Sequence, residues 1–283
     1  INSWLGGWQK TDLISVLARS GMGKTIFALS TLIGAGKAGR KVGFLSTEMS
    51  ASQIAMRYIS SKSGVSVSRM RTGDLDGDEW GMVSNALTNP TKTLADNQIY
   101  INDSDRDIKS ICRQIRRWVA DFGVEFVVLD YVQNVNVFDM RGITGEKVRE
   151  VAYVSSELKA LAKELNIPIL QLSQVVKDVD ERANKRPLVG DAAWSGAQVQ
   201  NDSDVILSLY RHEYYNKDFT EHGAITEIEL LKYRHGGLDK GYALFRKNHV
   251  DFIDADEHDA MRYCDALAKP KDRKAEGSRD RSF

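Results

Sequence analysis

Residues 12–25 read Asp12-Leu13-Ile14-Ser15-Val16-Leu17-Ala18-Arg19-Ser20-Gly21-Met22-Gly23-Lys24-Thr25. An apolar run of strand character ends at Ala18. A glycine-containing turn follows, and Ile26-Phe27-Ala28-Leu29 through Leu32-Ile33 continues at helical spacing. Strand, tight turn and a helix opening on Gly-Lys-Thr form the context of a phosphate-binding loop. Arg19, Ser20, Gly21, Met22, Gly23, Lys24, Thr25 and Ile26 are therefore the expected nucleotide-binding residues. Without a Cβ, Gly21 and Gly23 let backbone N–H groups turn toward phosphate oxygens. The helix N-terminus adds free N–H groups and a positive dipole end. Lys24 is expected to reach the β- and γ-phosphates and Thr25 to ligate Mg²⁺. Ala18 stands where the strict pattern has its first glycine. The sequence thus predicts a protein that binds a nucleoside triphosphate with Mg²⁺.

Working outward, Lys41 to Thr47 reads as a second buried strand ending at Glu48, followed by a helix around Gln53 to Lys62. Asp76 and Glu79 have the spacing of a capping box. Ile99-Tyr100-Ile101 is a short strand. Ile108, Ile111, Ile115, Val119 and Phe122 recur at helical spacing before a C-cap glycine, Gly123. Glu125 to Asp130 is an apolar run ending in a carboxylate. Val151, Val154, Leu158, Leu161 and Leu165 mark another helix, which leads into the strand Ile169 to Gln174. Apolar strands alternating with amphipathic helices predict an α/β fold, a mostly parallel sheet covered on both faces. From Asp204 the strands become closely spaced (204–210, 226–232, 241–246, 250–253), predicting a partly antiparallel edge.

Length and composition agree with a globular protein of one or two domains and exclude several classes. Of 283 residues, 42% are hydrophobic and 28% charged. No apolar run approaches the roughly 20 residues of a membrane span, so no membrane partner is expected. Cys112 and Cys264 have neither metal-ligand nor disulfide-framework spacing, which points to a reducing cytoplasm. His212 and His222 near Asp218 and Glu221 likewise lack ligand spacing. With 39 basic and 39 acidic side chains, any nucleic-acid contact must come from local loops. Trp4, Trp8, Trp80 and Trp118 read as core or interface aromatics. Residues 1–255 are expected to form the ATPase domain. Residues 256–283 are expected to be a disordered tail, its last 15 residues holding six basic and three acidic side chains. The opening Ile1 reads as the start of a fragment.

Glu48, Asp130 and Gln174 each end an apolar strand on the side of the phosphate-binding loop. Asp130 is the expected carboxylate partner of Thr25 for Mg²⁺. Glu48 is placed to orient and deprotonate a water. Gln174 can donate to a γ-phosphate oxygen and so register its presence. Two long polar stretches, 139–147 and 177–200, follow carboxyl ends of strands, where ligand loops of α/β sheets collect.

Residues 18–25, Ser46-Thr47-Glu48-Met49, Asp130-Tyr131-Val132-Gln133 and Leu172-Ser173-Gln174 together resemble the successive motifs of DnaB-type replicative helicases. Arg71-Thr72-Gly73, Tyr214 to Asp218 and Lys232-Tyr233-Arg234-His235-Gly236 continue the resemblance, which runs from about Trp4 to Ile253. It matches the C-terminal motor domain alone. It implies a RecA-like fold and a homo-hexameric ring driven by ATP along single-stranded DNA, typically 5′ to 3′, unwinding duplex. A primase and a helicase loader are the implied further partners. Lys24, Glu48 and Gln174 would be catalytic, and Lys232 and Arg234 would reach the γ-phosphate held by a neighbouring subunit. A RecA- or KaiC-like ATPase without unwinding activity is the alternative. A non-hydrolysing module is a third, opposed by Glu48.

One loop departs from the family. Where it typically has Asp-Ile-Arg-Glu-Ser-Gly, this chain has Asp191-Ala192-Ala193-Trp194-Ser195-Gly196. Backbone N–H groups near Ser195 and Gly196 can still bind phosphate. Lys185, Arg186 and the loop from Arg141 to Lys147 could replace the missing charge, or could be solvated loop charges. Trp194 could stack on a DNA base, or pack beneath its loop or against a neighbouring subunit.

Overall fold

A computed structural model describes residues 2–88, 98–194, 197–217, 219, 225–246 and 251–268. Ser195, Gly196, Asp218, Glu221, His222 and the 269–283 segment lie outside the described residues. The strands are β1 (Leu13–Ala18), β2 (Val42–Ser46), β3 (Ile99–Asn102), β4 (Phe126–Asp130), β5 (Ile169–Gln174), β6 (Val205–Tyr210), β7 (Ile225–Tyr233), β8 (Lys240–Arg246) and β9 (Asp251–Asp254). The helices are α1 (Asn2–Leu5), α2 (Lys24–Lys37), α3 (Ala51–Ser63), α4 (Val67–Thr72), α5 (Gly77–Thr88), α6 (Ile108–Arg117), α7 (Lys147–Leu165), α8 (Gln198–Asp202), α9 (His212–Tyr215) and α10 (Glu257–Ala268).

All nine strands join one sheet in the order β3-β2-β4-β5-β1-β6-β7-β8-β9. The first six are parallel, and β7, β8 and β9 are added antiparallel, as the strand spacing predicts. The two-residue period of a strand divides the core. On β4, Phe126 and Val128 face the layer with Phe27, Leu32, Ile54 and Tyr58, whereas Val127 and Leu129 face Ile111, Ile115, Val154 and Leu158. Continuous apolar strands are what a parallel sheet covered on both faces requires.

Local signals set the helix ends. Asp76 and Glu79 form the expected capping box, with Glu79 N–H donating to Asp76 at 2.8 Å and Asp76 N–H to Glu79 at 3.1 Å. Ser50 and Gln53 cap α3 in the same way. The helical run beginning at α6 passes through one wide turn, 118–122, before Gly123 ends it. One expectation needs correction. Residues 257–268 are a helix, α10, because Tyr263 buries its ring against Tyr242 and its hydroxyl donates to Glu227 at 2.9 Å. Trp118 is buried in the core, and Trp80 is 55% exposed on α5.

At the edge where the parallel strands begin, Asp204 is a buried electrostatic hub. It accepts from the Leu13 N–H at 2.8 Å and pairs with Lys159 of α7 at 2.5 Å and with Arg234 at 3.0 Å. Both Asp204 (5% exposed) and Lys159 (12%) are shielded from solvent. Removing one member of such a pair strands the other charge, unlike exposed pairs such as Arg116–Glu164. Asp204→Ala should lower the unfolding free energy by about 3–5 kcal/mol in denaturant titration. Adding Lys159→Met should recover part of that loss; equal instability of the single and double variants would remove the stranded charge as its cause.

Candidate functional site

The phosphate-binding loop leaves β1 at Ala18 and enters α2 at Lys24. Gly21 and Gly23 have φ of 80° and 96°, a region closed to most side chains. A Cβ on Gly21 would also fall 2.9 Å from the Tyr214 ring. Unlike α3 and α6, α2 has no side-chain cap. Its first N–H groups thus face the turn without a side-chain acceptor, the arrangement that suits an anion. Met22 is buried and pins the turn to the core.

Parallel pairing carries the other predicted residues to the same place. Ala18 lies opposite Gln174, and Ser46, two residues before Glu48, lies opposite Asp130. The Thr25 hydroxyl donates to the Asp130 carboxylate at 2.7 Å. Burial pushes the Asp130 carboxyl up to about 6; the Thr25 hydrogen bond opposes this and the nearby Glu48 charge adds to it. Lys24 Nζ donates to the carbonyls of Ala18 and Arg19 at 2.9 and 3.4 Å. Burial lowers its pKa to about 8, with Asp130 and Glu48 opposing. Lys24, Thr25, Glu48 and Asp130 therefore share one electrostatic environment. A buried carboxylate next to a threonine hydroxyl, at the mouth of a glycine turn, fits a divalent cation accompanying a phosphate chain.

Arg57 and the partner of Arg19 escaped the sequence reading. Arg57 on α3 is half-buried, and burial lowers its pKa against the opposing fields of Asp130 and Glu48. Its place one helix beyond Glu48 was its only sequence signal. The Arg19 side chain turns away from the glycine turn and pairs with Asp180 at 2.6 Å, where Tyr215 also donates at 2.7 Å. This ties the phosphate-binding loop to the 177–191 segment, a contact across 161 residues of sequence.

Beside the site lies a cleft of about 470 Å³ lined by Tyr131, Gln133, Asn134, Asn136, Lys147, Gln174 and Trp194. Its walls come from the two polar stretches and the ends of β4 and β5. Trp194 is 54% exposed with φ 50°, so its indole does not pack beneath its loop in this chain. Arg141 is exposed. Lys185 and Arg186 differ from the expectation of free loop charges. Lys185 donates to the carbonyls of Asp180 and Arg182. Arg186 pairs with the buried Glu227 and lies over the Tyr210 ring. Lys185 is thus held on backbone carbonyls, and the charge of Arg186 is committed within the chain because the buried carboxylate of Glu227 needs a partner.

Lys232 and Arg234 sit elsewhere. Tyr233 lies opposite Val205, the first residue of β6, and Arg234 contacts Asp204 and the Asn201 carbonyl. Lys232 donates to the Gln200 carbonyl at 2.5 Å. These groups occupy the edge where the parallel strands begin, and the phosphate-binding loop occupies the edge where they end. The length of β1, on the order of 17 Å, separates the two edges.

Among the described residues no helix is long and apolar enough to cross a membrane. The family described as DnaB-like helicase C terminal domain matches residues 1–254. The replicative DNA helicase DnaB of Geobacillus stearothermophilus is 36% identical over 253 residues, covering 87% of this chain and 53% of that protein. The replicative DNA helicase DnaC of Bacillus subtilis (strain 168) is 32% identical over 269 residues, covering 93% and 56%. The chain thus spans about half the length of these relatives. Two solved structures superpose with a TM-score of 0.80 at 26% identity, each covering 88% of this chain. One, covered over 59% of its length, is a DnaB-like replicative helicase described with its primase interactions; the other, covered over 87%, is described as an ATPase domain. With its glycine turn, Thr25–Asp130 pair and nine-stranded sheet, this chain belongs to the DnaB-like helicase C-terminal domain family.

Proposed function

We propose that this chain is the ATP-hydrolysing motor of a replicative DNA helicase, working as a homo-hexameric ring that moves 5′ to 3′ along single-stranded DNA. The observation that carries this reading is the split of the catalytic set. Lys24, Thr25, Glu48, Asp130 and Gln174 lie at one edge of the sheet, and Lys232 and Arg234 lie at the opposite edge. One chain cannot bring the two sets together across its own sheet. A neighbour in a ring can, because head-to-tail contacts set one edge against the other.

The phosphates of ATP would rest on the N–H groups of residues 20–25, with Lys24 exchanging its loop carbonyls for phosphate oxygens. Bound Mg²⁺, held by Thr25 and Asp130, would neutralise charge on the phosphate chain. Glu48 takes a proton from the attacking water. Gln174 donates to the γ-phosphate, and Lys232 and Arg234 of the adjacent copy stabilise charge developing there. The cleft beside Gln174 and the Arg141 loop are the DNA-facing surface, with Trp194 offering a stacking plane. Ser195 and Gly196 belong to the same proposed surface; Lys185 and Arg186 support it by bracing the 177–191 segment. By likeness to the relative described with primase, a primase is a proposed partner, and a helicase loader is another. A cytoplasmic place of action follows from this reading.

Glu48→Gln should bind ATP nearly as tightly as the parent and turn it over about 10²–10⁴-fold more slowly, measured by phosphate release. Turnover at the parental rate would remove Glu48 from the reaction. Arg234→Ala should lose about 10³-fold or more in turnover with its nucleotide affinity kept. Mixing these two inactive proteins should restore hydrolysis, because a ring then contains intact pairs of Glu48 and Arg234. Persistent inactivity in co-assembled rings would count against the shared site.

A further inference from the structure

Gln133 follows β4 in the short turn Val132–Asn134 and is 3% exposed. Its side-chain amide touches two separate segments. Oε1 accepts from the backbone N–H of Gln174 at 3.1 Å. Nε2 faces the Ser173 hydroxyl at 2.7 Å, the Gln174 carbonyl at 3.2 Å and the Ala193 carbonyl at 3.1 Å. Two hydrogens serve three acceptors, so one is shared. The reversed amide would set its oxygen against two carbonyl oxygens, and the surroundings therefore fix its orientation.

Peptide planes are rigid, so a bond to one end of a plane constrains the other. Through the Gln174 N–H and carbonyl, Gln133 holds the planes on both sides of Gln174. Through the Ala193 carbonyl it holds the plane that carries the Trp194 N–H. The same two segments are joined directly by Ala193 N–H to the Gln174 carbonyl at 2.7 Å and Val176 N–H to the Asp191 carbonyl at 2.9 Å. Gln174 lies beside Ala18 at the phosphate-binding loop, and Trp194 stands exposed on the cleft. Gln133 is a buried side chain hydrogen-bonded to Gln174 and to the carbonyl of Ala193, the residue before Trp194.

We propose that Gln133 is a positioning residue that couples the nucleotide site to the DNA-facing loop, so that a backbone shift at Gln174 re-aims Trp194. This rests on the helicase-motor reading. Because coupling of binding is reciprocal, DNA seated against Trp194 acts back on Gln174 by the same factor. Gln133 borders the cleft but is almost wholly buried beneath it; it acts through the peptide planes it clasps.

Gln133→Met keeps the side-chain length and removes both donor and acceptor. In this variant the affinity for a non-hydrolysable ATP analogue without DNA should stay within about twofold. The factor by which that analogue tightens binding of a single-stranded oligonucleotide should collapse toward one, from the roughly 5-fold or more expected of coupled sites. Ser173→Ala, which removes a contact outside the Gln174–Gln133–Ala193 path, should leave that factor intact. An unchanged factor in Gln133→Met, or an equal loss in Ser173→Ala, overturns the proposal in favour of simple packing. A second readout stands independently should Gln133→Met not fold. In the unsubstituted protein, the analogue alone should change Trp194 emission, taken as the difference from Trp194→Phe. An unchanged emission overturns the coupling. Absence of oligonucleotide binding in the unsubstituted protein would sink the motor reading instead, and the Trp194 response to nucleotide would still decide the clasp.

Discussion

Parallel pairing brings the carboxyl ends of β1, β2, β4 and β5 to one edge, with Ala18 opposite Gln174 and Ser46 opposite Asp130. The chemistry depends on that register. A slip of one residue would turn Phe126 and Val128 to the wrong face and displace Asp130 from Thr25. The register is held by burial on both faces, where the alternate residues of β4 belong to different apolar layers. At about 1.5–3 kcal/mol for each large apolar side chain buried, few alternative pairings could compete. The same geometry keeps the Lys232 and Arg234 edge away from the phosphate-binding loop.

The proposed nucleotide site was legible in the sequence where its signals were local. A glycine turn before Lys24 and Thr25, and polar residues closing the strands at Glu48, Asp130 and Gln174, need only short-range pattern to be found. The antiparallel edge beyond β6 also followed from strand spacing. What the sequence hid depends on contacts between distant residues. Arg186 reads as a free loop cation until Glu227, 41 residues on, is seen to pair with it. Residues 257–268 read as polar tail because the partner of Tyr263, Glu227, is 36 positions away. Gln133 sits inside a quoted motif, yet its role is invisible without Ala193.

The loop that departs from the family acquires a physical meaning from these contacts. Ala192 and Ala193 are buried and paired to the end of β5, which fixes the loop by its backbone. In the proposed DNA-facing role of this loop, losing an arginine would remove a phosphate contact and with it part of the salt dependence of binding. An exposed indole supplies instead a stacking surface that is indifferent to base sequence. In the proposed coupling, the clasp at Gln133 holds the peptide that precedes that surface.

In the proposed motor the catalytic site is completed by a neighbouring copy. This is tested most directly by following particle mass and ATP turnover per chain on one dilution series with single-stranded DNA present. A shared site predicts that turnover per chain rises in step with assembly and is negligible for the monomer. Constant turnover per chain from monomer to assembled particle would contradict it.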